Sequence, residues 1–208
     1  SSDDVMNSPR REGSFDLAAG DIKYQDTNGD GFINDSDQRR IGKNGFPRGN
    51  YGIFANLNYK GVFANILFQG ATSRDLYLDD VVRGSSIQAG MIYPYQQDYW
   101  MPDNRNATYP RPMVNANVNG QNNDQTSDFW MVNARYIRLK SLQLGYDLRT
   151  KLLRNVKWIY KMDVVLSGQN LFTLSPITKF GLDPENGSTN NYDYPLERIW
   201  SVSLNVGF

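Results

Sequence analysis

The end of the chain constrains its fold more tightly than any other stretch. In residues 198–208, RIWSVSLNVGF, the side chains of Trp200, Val202, Leu204, Val206 and Phe208 fall on one side of a period-two alternation, and Ser201, Ser203, Asn205 and Gly207 on the other. Successive strand residues point to opposite faces, so this is a strand with one oily face and one polar face. Its length matches the roughly nine to eleven residues that a tilted strand needs to cross bilayer hydrocarbon. The polar face is small and wet, which suits a water-filled lumen better than a dry core. An ordinary half-buried strand of a soluble sandwich has the same alternation, and on this segment alone both readings stay open.

Composition narrows the choice. Hydrophobic residues make up 39% of 208 positions and aromatics 13%, with 13 Tyr, 10 Phe and 4 Trp. Together with abundant Asn and Gly, this mixture is typical of strands bearing aromatic girdles joined by long polar loops. The 22 basic and 22 acidic residues cancel, so there is no basic footprint and no nucleic-acid partner is expected. Absence of Cys and His removes disulfides, thiolates and the commonest general base. Ser/His and Cys/His pairs are thereby impossible, and no spacing ties Asp163 to Asp183, so no catalytic residue is assigned and the chain is not read as an enzyme. No apolar run reaches the roughly eighteen residues of a spanning helix. Ser1 opens no signal peptide, so export is expected to be specified elsewhere, and the polar start points to a processed or partial chain.

The sharpest local motif is DTNGDGFINDSD, residues 26–37, which fits a calcium-loop pattern except that Asp stands at the closing position in place of Glu. Asp26, Asn28 and Asp30 offer oxygens at alternate positions, Gly31 permits the sharp turn, Phe32 offers its carbonyl, and Asn34 and Asp37 complete the set. Oxygen-only donors favour Ca2+ over zinc, and the short closing Asp37 implies weak binding, about 0.1 to 1 mM. The competing reading is a polar Asn-Gly and Asp-Gly turn without metal.

Strand patterns recur at about 48–59, 61–71, 135–148 and 160–173, followed by the terminal strand at 198–208. The first two are joined so tightly that they must form an antiparallel hairpin. Within the third, Arg138 and Lys140 share parity with Leu142, Leu144 and Tyr146. A cation at mid-bilayer costs about 2–4 kcal/mol, so either both lie at the interface or a bulge resets the phase. Between strands, long polar segments (1–47, 73–133, 175–197) alternate with short links (59–61, 149–157), the asymmetry of outer-membrane barrels. A loop as long as 73–133 is expected to be functional. Its Tyr93, Tyr95, Tyr99, Trp100 and Tyr109, with Arg105 and Arg111, either contact a substrate or partner or pack the loop on itself, and Asp183 marks the other candidate contact loop.

In order along the chain, GDIKYQDTNGDGFINDSDQ, RYIRLKSLQLGYDL, SGQNLFTL, GLDPE and YPLERIWSVSLNVGF resemble the C-terminal part of the SusC/RagA-like TonB-dependent transporters of Bacteroidetes outer membranes. The resemblance implies an all-β membrane protein supplying about the last five strands of a 22-stranded antiparallel transmembrane β-barrel, with long loops outside the cell and the C-terminus in the periplasm. It also implies the family's partners. These are the remainder of the barrel and its plug, a SusD-like surface lipoprotein, and TonB acting through an N-terminal region with no counterpart here. Membrane lipid surrounds the whole, and the cargo would be an oligosaccharide or peptide. Phe208 resembles the terminal aromatic by which such barrels are recognised for insertion. About five strands cannot close, so other polypeptide must complete the wall. The reading from a different class is a soluble extracellular β-sandwich, a carbohydrate-binding or adhesion module with a calcium loop.

Overall fold

The structure, a computed structural model, describes residues 2–78, 80–83, 93–150, 156, 158–186, 194 and 196–208. Parts of the expected 149–157 link and of the 73–133 and 175–197 loops lie outside the described residues. Two compact units are present, one within 1–42 and 77–131, the other within 43–76, 132–188 and 192–208.

The second unit is built on a five-stranded antiparallel sheet of β1 (Gly49–Tyr59), β2 (Val62–Thr72), β3 (Tyr136–Asp147), β4 (Lys161–Leu174) and β5 (Ile199–Gly207). Spatial order follows chain order, and each outer strand, β1 and β5, pairs on one side only among the described residues. Lys60 and Gly61 join β1 to β2, both with positive φ (49° and 88°). Two such residues make the tight turn whose twist matches an antiparallel hairpin. Register then places Leu57, Ala64, Leu144, Leu166 and Val202 in one row across all strands, and Asn56, Asn65, Gln143, Ser167 and Ser201 in the adjacent row on the other face. The polar row is bonded along its length in part: Asn56 Nδ2 donates to Asn65 Oδ1 at 2.6 Å, and Asn65 Nδ2 to Gln143 Oε1 at 3.1 Å. Phe54, Phe63 and Leu67 also lie on this face, so it is mixed rather than uniformly polar.

The cation problem in β3 is solved by a bulge. Leu139 opposes Phe68 and Ser141 opposes Leu67, so Lys140 is the extra residue. An extra residue shifts the alternation by one. Arg138 therefore shares a face with Ser141 and Gln143, while Leu139 continues onto Leu142 and Leu144. Of the two alternatives left by the sequence, phase resetting is the one observed.

The apolar face is open. Val202 is 76% exposed, Leu204 57% and Ile53 56%, and no second sheet covers them among the described residues. A soluble sandwich needs that face buried.

The other unit is held by short turns around a polar core. Trp130 is buried and donates from Nε1 to the Asn123 carbonyl at 2.8 Å, and Leu78 N–H donates to the Trp130 carbonyl at 3.0 Å. Buried Asn122 and Asn123 hold the chain around Ile22: Asn123 Oδ1 accepts from Ile22 N and Asn122 Nδ2 donates to the Ile22 carbonyl. Where the sequence reading expects no strand between 73 and 133, short strands stand at both ends, Asp75–Tyr77 and Met131–Asn133.

Candidate functional site

The loop at residues 26–37 is ordered by its own side chains. Asp26 accepts from the N–H groups of Gly29 (2.6 Å) and Gly31 (2.8 Å), both glycines having positive φ. Asn28 Oδ1 accepts from Asp30 N at 3.0 Å, and Asp30 Oδ1 from Phe32 N at 2.8 Å. Asn34 caps the turn Asp35–Asp37 through Ser36 N, and buried Asp37 closes the loop by accepting from Thr27 N (2.8 Å) and Asn34 N (2.9 Å). The N–H groups of Asn34 and Thr27 hold the Asp37 carboxyl below the usual carboxylate range. The oxygen-only donor set suits a hard cation, but among the described residues no three acidic side chains converge on one point. Beside the loop lies an open polar groove of about 1050 Å³, bordered by Tyr24, Asn34, Asp37 and Gln125.

The aromatic segment packs on itself. Tyr93 and Tyr95 stack with centroids 5.4 Å apart, Tyr95 meets Tyr109 at 6.0 Å, and the Tyr95 hydroxyl donates to the Val82 carbonyl. Burial pushes the Tyr95 hydroxyl up. Tyr99 and Tyr109 form a backbone bridge, and Trp100 N–H donates to the Tyr109 carbonyl at 3.0 Å. Gly20, at φ +95°, lies so close beneath the Trp100 ring that a Cβ there would sit 2.5 Å from it. Arg111 pairs with Asp21 at 2.7 Å. Exposed Arg105 donates from Nε to the Pro102 carbonyl at 3.1 Å. Asp98 fixes the turn by accepting from Thr108 and Asn104, contacts that keep its carboxyl low. The Tyr93, Tyr95 and Tyr109 rings thus pack on one another within the segment.

Asp183 belongs to a different arrangement. Arg138, 1% exposed, reaches Asp183 Oδ2 from Nη2 at 2.6 Å, Glu185 Oε2 from Nη1 at 2.8 Å, and Thr173 Oγ1 from Nε at 2.8 Å. Lys140 adds a contact to Glu185 at 3.2 Å, and the Tyr136 hydroxyl donates to Glu185 Oε1 at 3.1 Å. Arg74 grips the same turn without a carboxylate: Nη1 donates to the Pro184 carbonyl, Nη2 to the Asn186 carbonyl (3.1 Å) and Nε to the Gly45 carbonyl (2.6 Å). Burial lowers the Arg74 pKa. Sequence reasoning singles out Asp183 but misses Arg74, because three carbonyl acceptors leave no trace in side-chain spacing.

No protein-family model matches the chain. It is 26% identical over 203 residues to TonB-dependent receptor P26 of Formosa agariphila, covering 91% of this chain and 20% of that receptor. It is 28% identical over 205 residues to TonB-dependent receptor P39 of the same organism, covering 92% and 19%. The chain thus spans about a fifth of the length of these relatives. Among solved structures, the RagAB peptide transporter superposes with a TM-score of 0.60 at 22% identity, covering 86% of this chain and 19% of that one. The RagAB peptide importer in its closed-closed state gives 0.63 at 21%, covering 85% and 19%. Over most of its length this chain is therefore similar to TonB-dependent receptors, and its sheet has the fold of a part of a TonB-dependent transporter barrel.

Proposed function

We propose that the chain forms C-terminal barrel wall and external loops of a TonB-dependent outer-membrane transporter that imports oligomeric nutrients, glycans or peptides, with a SusD-like lipoprotein. One observation carries this reading. The row Leu57–Ala64–Leu144–Leu166–Val202 presents apolar side chains that no other described element covers, directly beside the amide and hydroxyl row that starts at Asn56. Lipid on one side and water on the other is the environment that satisfies both rows. In the proposed orientation the Lys60-Gly61 turn and Phe208 face the periplasm and the long segments face outward. The likeness to RagAB, a peptide transporter, favours peptide cargo. No bond is made or broken; the chain's contribution is wall and selectivity.

The loop at residues 26–37 is proposed to take calcium as a stiffening ion, on the strength of its oxygen-only donors and its two left-handed glycines. Cell fractionation of the complete protein tests the main reading. Recovery in the outer membrane, detergent-dependent solubility and heat-dependent gel mobility are expected, with a surface lipoprotein co-purifying. Recovery as a monodisperse protein in buffer alone would overturn it.

A further inference from the structure

The turn that carries Asp183, residues 181–186, is held by side chains from elsewhere in the unit. Arg138 projects from the polar face of β3, in register with Gln69 of β2 and Thr173 of β4. Its partners Asp183 and Glu185 must therefore lie over that face, and Pro184 between them is fully buried. From the side, Arg74 holds the carbonyls of Pro184 and Asn186. The charges of the cluster balance: Arg138 and Lys140 oppose Asp183 and Glu185, while Arg74 is met by carbonyl dipoles. Two cations approaching one turn, Arg138 from β3 and Arg74 from the link that follows β2, fix both its position and its tilt, whereas a single surface pair would fix neither.

We propose that residues 181–186 are an inward strap, clamped by Arg138 and Arg74 against the polar face of the wall, and that this strap sets the width of the passage along β3. The inference deepens the barrel reading and rests on it for the word passage; the clamp itself stands on the contacts alone. A solute moving along the polar face towards Gln143 has to pass the strap. Release of the clamp widens that path without altering the wall.

The chain contains no Cys, so a single introduced thiol is unique within these 208 residues, and the parent protein labelled in parallel supplies the background. In the complete protein in outer-membrane vesicles, Pro184→Cys reports strap release and Gln143→Cys reports the width beyond it. With the clamp intact, Pro184→Cys is expected to resist a membrane-impermeant maleimide, and Gln143→Cys to accept a short maleimide but not a polyethylene-glycol one. Arg138→Met is expected to raise Pro184→Cys labelling on the order of a hundredfold, the effect of unpairing the part-buried Asp183 and Glu185 carboxylates, and to admit the large reagent to Gln143→Cys. Arg74→Gln, which leaves no carboxylate unpaired, serves where Arg138→Met fails to assemble by heat-dependent mobility. Equal labelling of Gln143→Cys by both reagents with the clamp intact, or Pro184→Cys labelling unchanged by both variants, overturns the strap. Loss of the barrel reading appears separately, as protein absent from the membrane fraction, and the Pro184→Cys comparison then still decides the clamp in solution.

Discussion

Arg138 and Asp183, 45 residues apart in the chain, meet at 2.6 Å with the arginine almost wholly excluded from solvent. A buried guanidinium is tolerable only with its partners in place, so this contact ties the third strand to the turn after the fourth.

Replacing Arg138 with Met should therefore destabilise the sheet by about 3–5 kcal/mol, since it leaves Asp183 with no cationic partner and Glu185 with Lys140 and the Tyr136 hydroxyl alone. Neutralising the acids as well, in the triple variant Arg138→Met, Asp183→Asn, Glu185→Gln, should recover part of that loss. Thermal unfolding in detergent compares the two. Equal midpoints would show that unpaired charge is not the origin of the effect.

Gly20 gives a sharper steric prediction. Gly20→Ala places a methyl where the Trp100 ring now lies and demands a left-handed alanine, so a cost of about 1–3 kcal/mol is expected, confined to the aromatic segment. Limited proteolysis should speed up within residues 93–111. Unchanged cleavage there would mean that Trp100 has another seat.

Acidification should loosen the loop at residues 26–37 and the turn around Asp98. Both carboxyls have folded pKa values below their unfolded ones, Asp37 through the N–H groups of Asn34 and Thr27, Asp98 through the Thr108 hydroxyl and the Asn104 amide. Their contribution is full above the unfolded value of about 3.9 and is lost as pH falls through the folded one. Amide protection factors at Thr27, Asn34 and Thr108, corrected for the intrinsic pH dependence of exchange, should fall below about pH 4 while neutral pH gives the same protection as pH 6. Asp37→Asn should remove the Thr27 and Asn34 part of the response.

Calcium titration addresses the same loop. A dissociation constant of about 0.1–1 mM is expected, with binding lost in Asp26→Asn and the sheet unaffected by chelation. Silence in calorimetry at millimolar calcium would leave the loop as a self-capped turn.

Strand positions and faces were legible because alternation is a local property: Trp200 to Phe208 display it without help from any neighbour. The phase of β3 was only half legible. Arg138 and Lys140 announced a conflict, but only the pairing of Leu139 with Phe68 and Ser141 with Leu67 shows that Lys140 absorbs it. Arg74 was illegible, since its carbonyl acceptors at 45, 184 and 186 are brought to it by the fold. The calcium motif shows the opposite limit: its spacing is explicit, yet spacing cannot say whether the acids turn towards an ion or, as seen for Asp26 and Asp37, towards their own backbone.

The two outermost strands have a further consequence. Among the described residues each keeps a free row of amide and carbonyl groups along one margin, flanked on β5 by bare Val202 and Leu204. Released into water by itself, such a ribbon would accept a sister ribbon at either margin, and that one another, with nothing to stop the growth. Fibrous precipitate is thus the natural fate of this stretch produced alone, and an assembly that seals both margins is what keeps it a discrete molecule.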